Sequence, residues 1–186
     1  MDSSVTLVNP APPTAYFLSS SDLKNTTIYV YPSTPIYKIT GNSKRIKISD
    51  ERKPGRTVAV LRRRIFLDDT VCFPERSRGY PTSLGRWLRN SKLSDGRSGY
   101  VMTTSYGSFV WKMISRHRQK VYADYDRDKP IASCYLHQNL APGTPAFILE
   151  SEAEPLRDDI VVGYLIQRNR VMMVDRALDI FVSFTR

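Results

Sequence analysis

Cysteine, histidine and long apolar runs are the scarce features of this sequence, and each scarcity excludes something. Its 186 residues include only two cysteines and two histidines. Cys72 and Cys134 are too few and too far apart for a disulfide framework, or for a zinc site whose ligands come in close pairs; both are expected to be reduced core thiols. No apolar run approaches the roughly 20 residues that a membrane-spanning helix needs, and the opening Met1-Asp2-Ser3-Ser4 has neither the basic nor the apolar region of a secretory signal. The expectation is a soluble, cytoplasmic chain with no transmembrane segment, attached to a membrane at most peripherally. In that setting the sequon Asn25-Thr26-Thr27 is turn chemistry and not a glycan site.

Negative charge is also scarce in one place. The formal net charge is +10, and the segment from Lys38 to Arg64 holds ten Lys or Arg against Asp50 and Glu51 alone. The excess is therefore local, and a local excess steers a protein toward polyanions.

What the chain does have is alternation with a period of two, the mark of half-buried strands. Runs of this kind recur at Ala15-Leu18, Thr27-Tyr31, Pro35-Thr40, Lys44-Ser49, Thr57-Leu61 and Ile65-Asp68. They resume at Gly99-Thr103, Gly107-Ile114, Gln119-Tyr125, Pro130-His137, Pro145-Glu150 and Leu178-Phe184, with Pro, Gly, Asn, Asp and Ser between them. Residues 1–14, with Pro10, Pro12 and Pro13, are expected to form a flexible arm. Residues 15–186 are expected to form one domain, interrupted by a long loop or insertion over 73–98 in which Leu84 to Leu88 suits a short helical turn. Within the runs, Phe109, Trp111 and Met113 share one face, as do Ile46 and Ile48, while Arg45 and Lys47 face out. Alternation places Arg63 on an apolar face. Burying it unpaired is expensive, so a strand end or a bulge is expected there.

The exception to this period is "EPLRDDIVVGYLIQRNRVMMV". Pro155 fits a first helical position, and Asp158 and Asp159 fit the favourable end of a helix dipole. The middle, Ile160 to Ile166, is apolar all round, which a helix tolerates only inside protein. Its valines, isoleucines and tyrosine favour strand by propensity, and on these residues alone helix and strand stand level.

Four stretches, "LKNTTIYVYPSTPIYKI", "AVLRRRIFLDDTVCF", "KPIASCYLH" and "LRDDIVVGYLIQRNR", resemble an uncharacterised domain family found in many copies in mushroom-forming fungi and placed among the tubby C-terminal-like barrels. The resemblance covers about Ala15 to Val174. It implies a mainly β fold, a closed antiparallel barrel of about twelve strands around one hydrophobic C-terminal helix, similar to tubby domains, phospholipid scramblases and LURP-one-related proteins. Tubby domains bind phosphoinositides through basic surface residues, although none of their individual ligands matches a position of this chain.

Residues suited to catalysis are few. His117 lies in the basic connection "SRHRQK" and reads as a solvated loop residue. His137 alternates out of phase with Cys134, which argues against a Cys-His dyad within that strand. "DYDRDK", Asp124 to Lys129, imitates the start of a calcium loop, but Lys129 and Tyr135 stand where such a loop needs glycine and glutamate. Neither G-x-x-x-x-G-K-[ST] nor G-x-G-x-x-G occurs. The expectation is no enzyme, no metal and no cofactor.

The basic surface then carries the functional question, with Lys44, Arg45, Lys47, Arg62, Arg63 and Arg64 as candidate anion- or lipid-binding residues. Three readings remain open. The charge is a solvated face that protects strand edges on a protein-interaction or structural module; or it recruits the chain to anionic membrane lipid, phosphoinositides included; or it binds nucleic acid, against which stands the lack of interleaved stacking aromatics.

Overall fold

The structure is a computed structural model, and it describes residues 11–184 apart from 65–66, 94–95, 97, 138–139 and 142. Two antiparallel meanders meet in one thirteen-stranded sheet. The first contains β1 (Thr14–Leu18), β2 (Asn25–Val30), β3 (Thr34–Gly41), β4 (Arg45–Asp50), β5 (Thr57–Arg62), β6 (Thr70–Cys72) and β7 (Thr82–Ser83). After a single helical turn, α1 (Leu84–Trp87), the second contains β8 (Leu88–Lys92), β9 (Ser98–Thr104), β10 (Gly107–Ser115), β11 (Arg118–Ala123), β12 (Asp126–Tyr135) and β13 (Phe147–Leu149). Pairing of β1 with β13 joins the two, through Thr14↔Leu149 and Tyr16↔Phe147. The order is β7-β6-β5-β4-β3-β2-β1-β13-β12-β11-β10-β9-β8. A 3-10 turn over Ser151–Leu156 then leads into α2 (Arg157–Phe184).

The chain is mainly β with one hydrophobic C-terminal helix, as expected, and its antiparallel sheet has thirteen strands where a closed barrel of about twelve was expected. Its hydrogen-bonded order is linear, and among the described residues no ladder joins its edge strands β7 and β8. The turn α1 occupies the chain between them. The segment expected as a loop over 73–98 supplies β7, α1 and β8, whose strands are too short or too polar to show alternation. The Leu178-Phe184 run is helical, because α2 continues through it. For Ile65-Asp68, the first two residues lie outside the described ones, and Leu67 and Asp68 are not in a strand. Residues 1–10 of the expected arm also lie outside the described residues, while 11–13 are exposed.

The undecided segment is a helix with no solvent-facing side. Ile160, Val161, Val162 and Tyr164 are completely buried, and Leu165 and Ile166 nearly so. A helix satisfies its own backbone hydrogen bonds, so it can lie within side chains alone, whereas a strand in that place would need ladder partners. The second meander packs directly on it. The Tyr164 hydroxyl donates to the Tyr135 carbonyl at 3.2 Å, and its ring lies 5.3 Å from that of Phe147. On β10, Trp111 is buried against Gly163, where a Cβ would come within 2.5 Å of the indole. Glycine is what lets the ring approach.

An ionic clamp holds the start of α2. Asp158 accepts from the Tyr37 hydroxyl at 2.6 Å and from Arg56 at 2.7 Å, and Arg56 also reaches Asp50 at 3.0 Å and Glu75 at 2.9 Å. Asp159, fully buried, accepts from Arg76 Nη1 at both carboxylate oxygens, at 2.6 and 2.8 Å. The two carboxylates sit in the first helical turn, where the backbone N–H groups favour negative charge. Burial pushes the Asp159 carboxyl up nonetheless, with Arg76 opposing.

Candidate anion-binding site

The far end of the first meander carries the candidate cations. β3 and β4 are joined by a tight turn in which Asn42 Oδ1 accepts from the backbone N–H groups of Lys44 and Arg45, both at 2.9 Å. Gly41 is required beside it, since a Cβ would stand 2.2 Å from the Arg45 carbonyl. The turn thus presents Lys44 and Arg45 together.

β5 ends at Arg62, so Arg63 escapes the apolar face by the expected strand end. Its backbone N–H donates to the Lys44 carbonyl at 2.8 Å. Asp69 fixes the loop that follows: Oδ1 accepts from the Arg64 N–H at 3.1 Å, and the Asp69 carbonyl accepts from the Leu84 N–H at 2.7 Å. These backbone bonds bring the arginine triplet alongside the β3–β4 turn. Across the β4–β5 ladder, Arg45 and Arg62 are direct partners, and Ile46 and Leu61 pair in the next row.

Between these segments, α1 and the middle of α2 lies a pocket of about 310 Å³. Lys44, Arg45, Arg62, Arg63, Arg64 and Arg170 line it, with Asp69 the one carboxylate among the described residues. Its apolar lining is Ile46, Leu61, Leu84, Leu165, Ile166 and Met173. Five of the six candidate residues meet here. Lys47 is the sixth; it stands exposed on the outer face of β4, opposite Val60, and does not line the pocket. Other cations of the Lys38 to Arg64 segment go elsewhere, Arg52 and Arg56 being bound to Asp50 at the opposite end of β4. Sequence reasoning missed Thr70 and Arg170. Their signal lies in the tertiary structure: Thr70 Oγ1 and Arg170 Nη1 are shielded from solvent with no hydrogen-bond partner among the described residues. The Arg170 guanidinium also lies over the Tyr100 ring, 4.9 Å from its centroid.

The groups weighed for catalysis are arranged otherwise than expected. His117 is not simply solvated: its ring stacks on that of His137 at 4.3 Å, and Nε2 lies 3.1 Å from an Asp175 oxygen on α2. Cys134 is wholly buried, and burial pushes its thiol up, away from the thiolate that nucleophilic chemistry needs. In the Asp124 to Lys129 turn, Asp126 Oδ1 accepts from the Asp128 N–H at 3.1 Å, and Asp124 pairs with Arg127. Those carboxylates serve the turn. Among the described residues, no group of three or more His, Cys, Asp or Glu side chains is placed to hold a metal ion, and no helix is long and apolar enough to cross a membrane.

Comparison with known families assigns this sheet-and-helix chain. A model of a family of unknown function, DUF6593, matches residues 21–172. The chain belongs to that family. The matched stretch of this DUF6593 protein runs from just before β2 into α2, so it includes the pocket-forming turns and most of the pocket's helical wall. No curated protein matches the chain. Among solved structures, a protein from Arabidopsis thaliana is similar at 16% identity and a TM-score of 0.48, over 86% of this chain and 94% of that one.

Proposed function

We propose that this protein is a non-enzymatic module that binds anionic membrane lipid, with phosphoinositides as the leading headgroup class, through the cationic mouth of the pocket beside β4 and β5. The observation that carries this reading is the convergence of Lys44, Arg45, Arg62, Arg63 and Arg64 on one pocket. Each basic residue near an anionic surface contributes about 1 kcal/mol at low screening, so five together suffice for reversible recruitment. The direct opposition of Arg45 and Arg62 supports it further, because like charges paired across a ladder are unfavourable until an anion sits between them. Membership of the tubby C-terminal-like superfamily, which the sequence resemblance implies, is part of the same proposal. A cytoplasmic location with peripheral membrane attachment follows from it.

Liposome sedimentation with a panel of headgroups tests the reading. Pelleting with phosphoinositide- or phosphatidylserine-containing vesicles, fading as salt rises, is the expected result. Equal pelleting with neutral vesicles, or none with any vesicle, overturns it; a gel shift with a steep salt slope instead would assign the charge to nucleic acid.

A further inference from the structure

The cationic mouth leaves the interior of the same pocket unexplained. Attraction of a headgroup to a basic surface needs no cavity, yet Ile46, Leu61 and Leu84 are only partly buried and Met173 is 58% exposed, all lining open space of about 310 Å³. Beside them Thr70 Oγ1 and Arg170 Nη1 are buried with no hydrogen-bond partner among the described residues. Thr70 as a whole is only 9% exposed. A buried polar group left unpaired is costly, and both of these can donate to an acid oxygen. Apolar walls with a few polar groups are what a small-molecule site is made of.

We propose that the pocket takes up one molecule of a single-chain anionic amphiphile of the monoalkyl or monoacyl phosphate class. Its phosphate is held by Arg62, Arg63, Arg64, Thr70 and Arg170, and its chain lies along Leu61, Leu84, Leu165, Ile166 and Met173. The proposal rests on the reading of the mouth as a site for anionic lipid, and adds that the lipid's chain enters the protein. Charge complementarity fixes the sign of the head: six basic side chains line the pocket against Asp69, whose Oδ1 already accepts from the Arg64 N–H. The volume limits the occupant to one chain, being at the lower end of the roughly 300–1,000 Å³ of small-molecule sites.

The test is calorimetric titration of the full chain with butyl, hexyl and octyl phosphate, all below their aggregation limits, with inorganic phosphate and neutral octyl maltoside as further probes. The same preparations are sedimented with anionic liposomes. One amphiphile per chain is expected, with affinity rising by up to about fourfold for each added methylene until the walls are covered. The maltoside is expected to bind about tenfold or more weakly than octyl phosphate, for want of charge-assisted hydrogen bonds. Met173→Trp, at an exposed position that tolerates bulk, is expected to abolish the chain-length dependence of alkyl phosphate affinity. Thr70→Val is expected to weaken all three alkyl phosphates by the same factor. Equal affinity for inorganic, butyl and octyl phosphate, with liposome binding intact, overturns this proposal and leaves the surface reading standing. Loss of liposome binding together with all amphiphile binding overturns both.

Discussion

Arg45 and Arg62 face each other as direct partners across the β4–β5 ladder. Opposed like charges destabilise a strand pair by about 0.2–1 kcal/mol, so the free protein carries a repulsion that a bound anion relieves. Arg62→Gln is therefore expected to raise the urea midpoint slightly while weakening binding to anionic vesicles about fivefold, the equivalent of about 1 kcal/mol for one basic residue. Parallel denaturation and sedimentation of the two proteins check this; a fall in both stability and binding contradicts it.

The Tyr37 hydroxyl donates to Asp158 at 2.6 Å and accepts from Arg157 Nε at 2.8 Å. Burial above all, and then the Asp158 charge, pushes this hydroxyl well above the ordinary tyrosine range, so it remains a donor at every working pH. Tyr37→Phe leaves both charged partners one bond short, at a cost of about 1–3 kcal/mol. A lower urea midpoint with an unchanged slope is the expected readout.

Gly163 tests the packing of α2. Elsewhere in a helix, alanine in place of glycine stabilises, but here the added methyl stands 2.5 Å from Trp111 Cζ2 in a fully buried contact. Gly163→Ala is expected to destabilise by about 1–3 kcal/mol through overpacking. Thermal unfolding measures it, and an unchanged or raised Tm would mean that the indole has room to move.

Acid sensitivity follows from Asp50. Its carboxyl is buried, which by itself raises its pKa; hydrogen bonds from Arg52, at 3.0 Å from the backbone and 3.3 Å from Nε, and from Arg56 at 3.0 Å outweigh burial and hold it below the ordinary carboxylate range. The unfolded chain thus binds the proton first as pH falls. The stabilisation is present above the unfolded value of about 4 and is lost as pH drops through the lower folded value. Asp50→Asn is expected to lower stability at neutral pH and to flatten the acid limb of a stability–pH curve. An acid limb as steep as that of the unaltered protein would assign the sensitivity to another group.

Residues with clean alternation made much of the sheet legible. Ile46 and Ile48 turn inward and Arg45 and Lys47 outward as the pattern requires. Met113 breaks it, 40% exposed where Phe109 and Trp111 on the same expected face are buried, because it belongs to the last three residues of β10, all of them exposed. Strand β8, Leu88–Lys92, escaped notice since it exposes Arg89, Asn90 and Lys92. Ile180 and Val182 read as strand by propensity, yet α2 propagates through them from a buried start. For the site, the cationic run was visible in the sequence, whereas Thr70, Leu84 and Arg170 join it only through folding. No local pattern encodes that convergence.

The most direct measurement of the central claim compares two charge reversals of equal size by sedimentation with phosphoinositide-containing liposomes. Arg64→Glu alters the pocket's mouth, and Lys38→Glu alters an exposed position on β3 outside the pocket lining. A binding site at the mouth requires Arg64→Glu to reduce pelleting sharply and Lys38→Glu to reduce it little at physiological salt. Equal losses from the two substitutions would show that net charge alone, and not this pocket, draws the protein to the membrane.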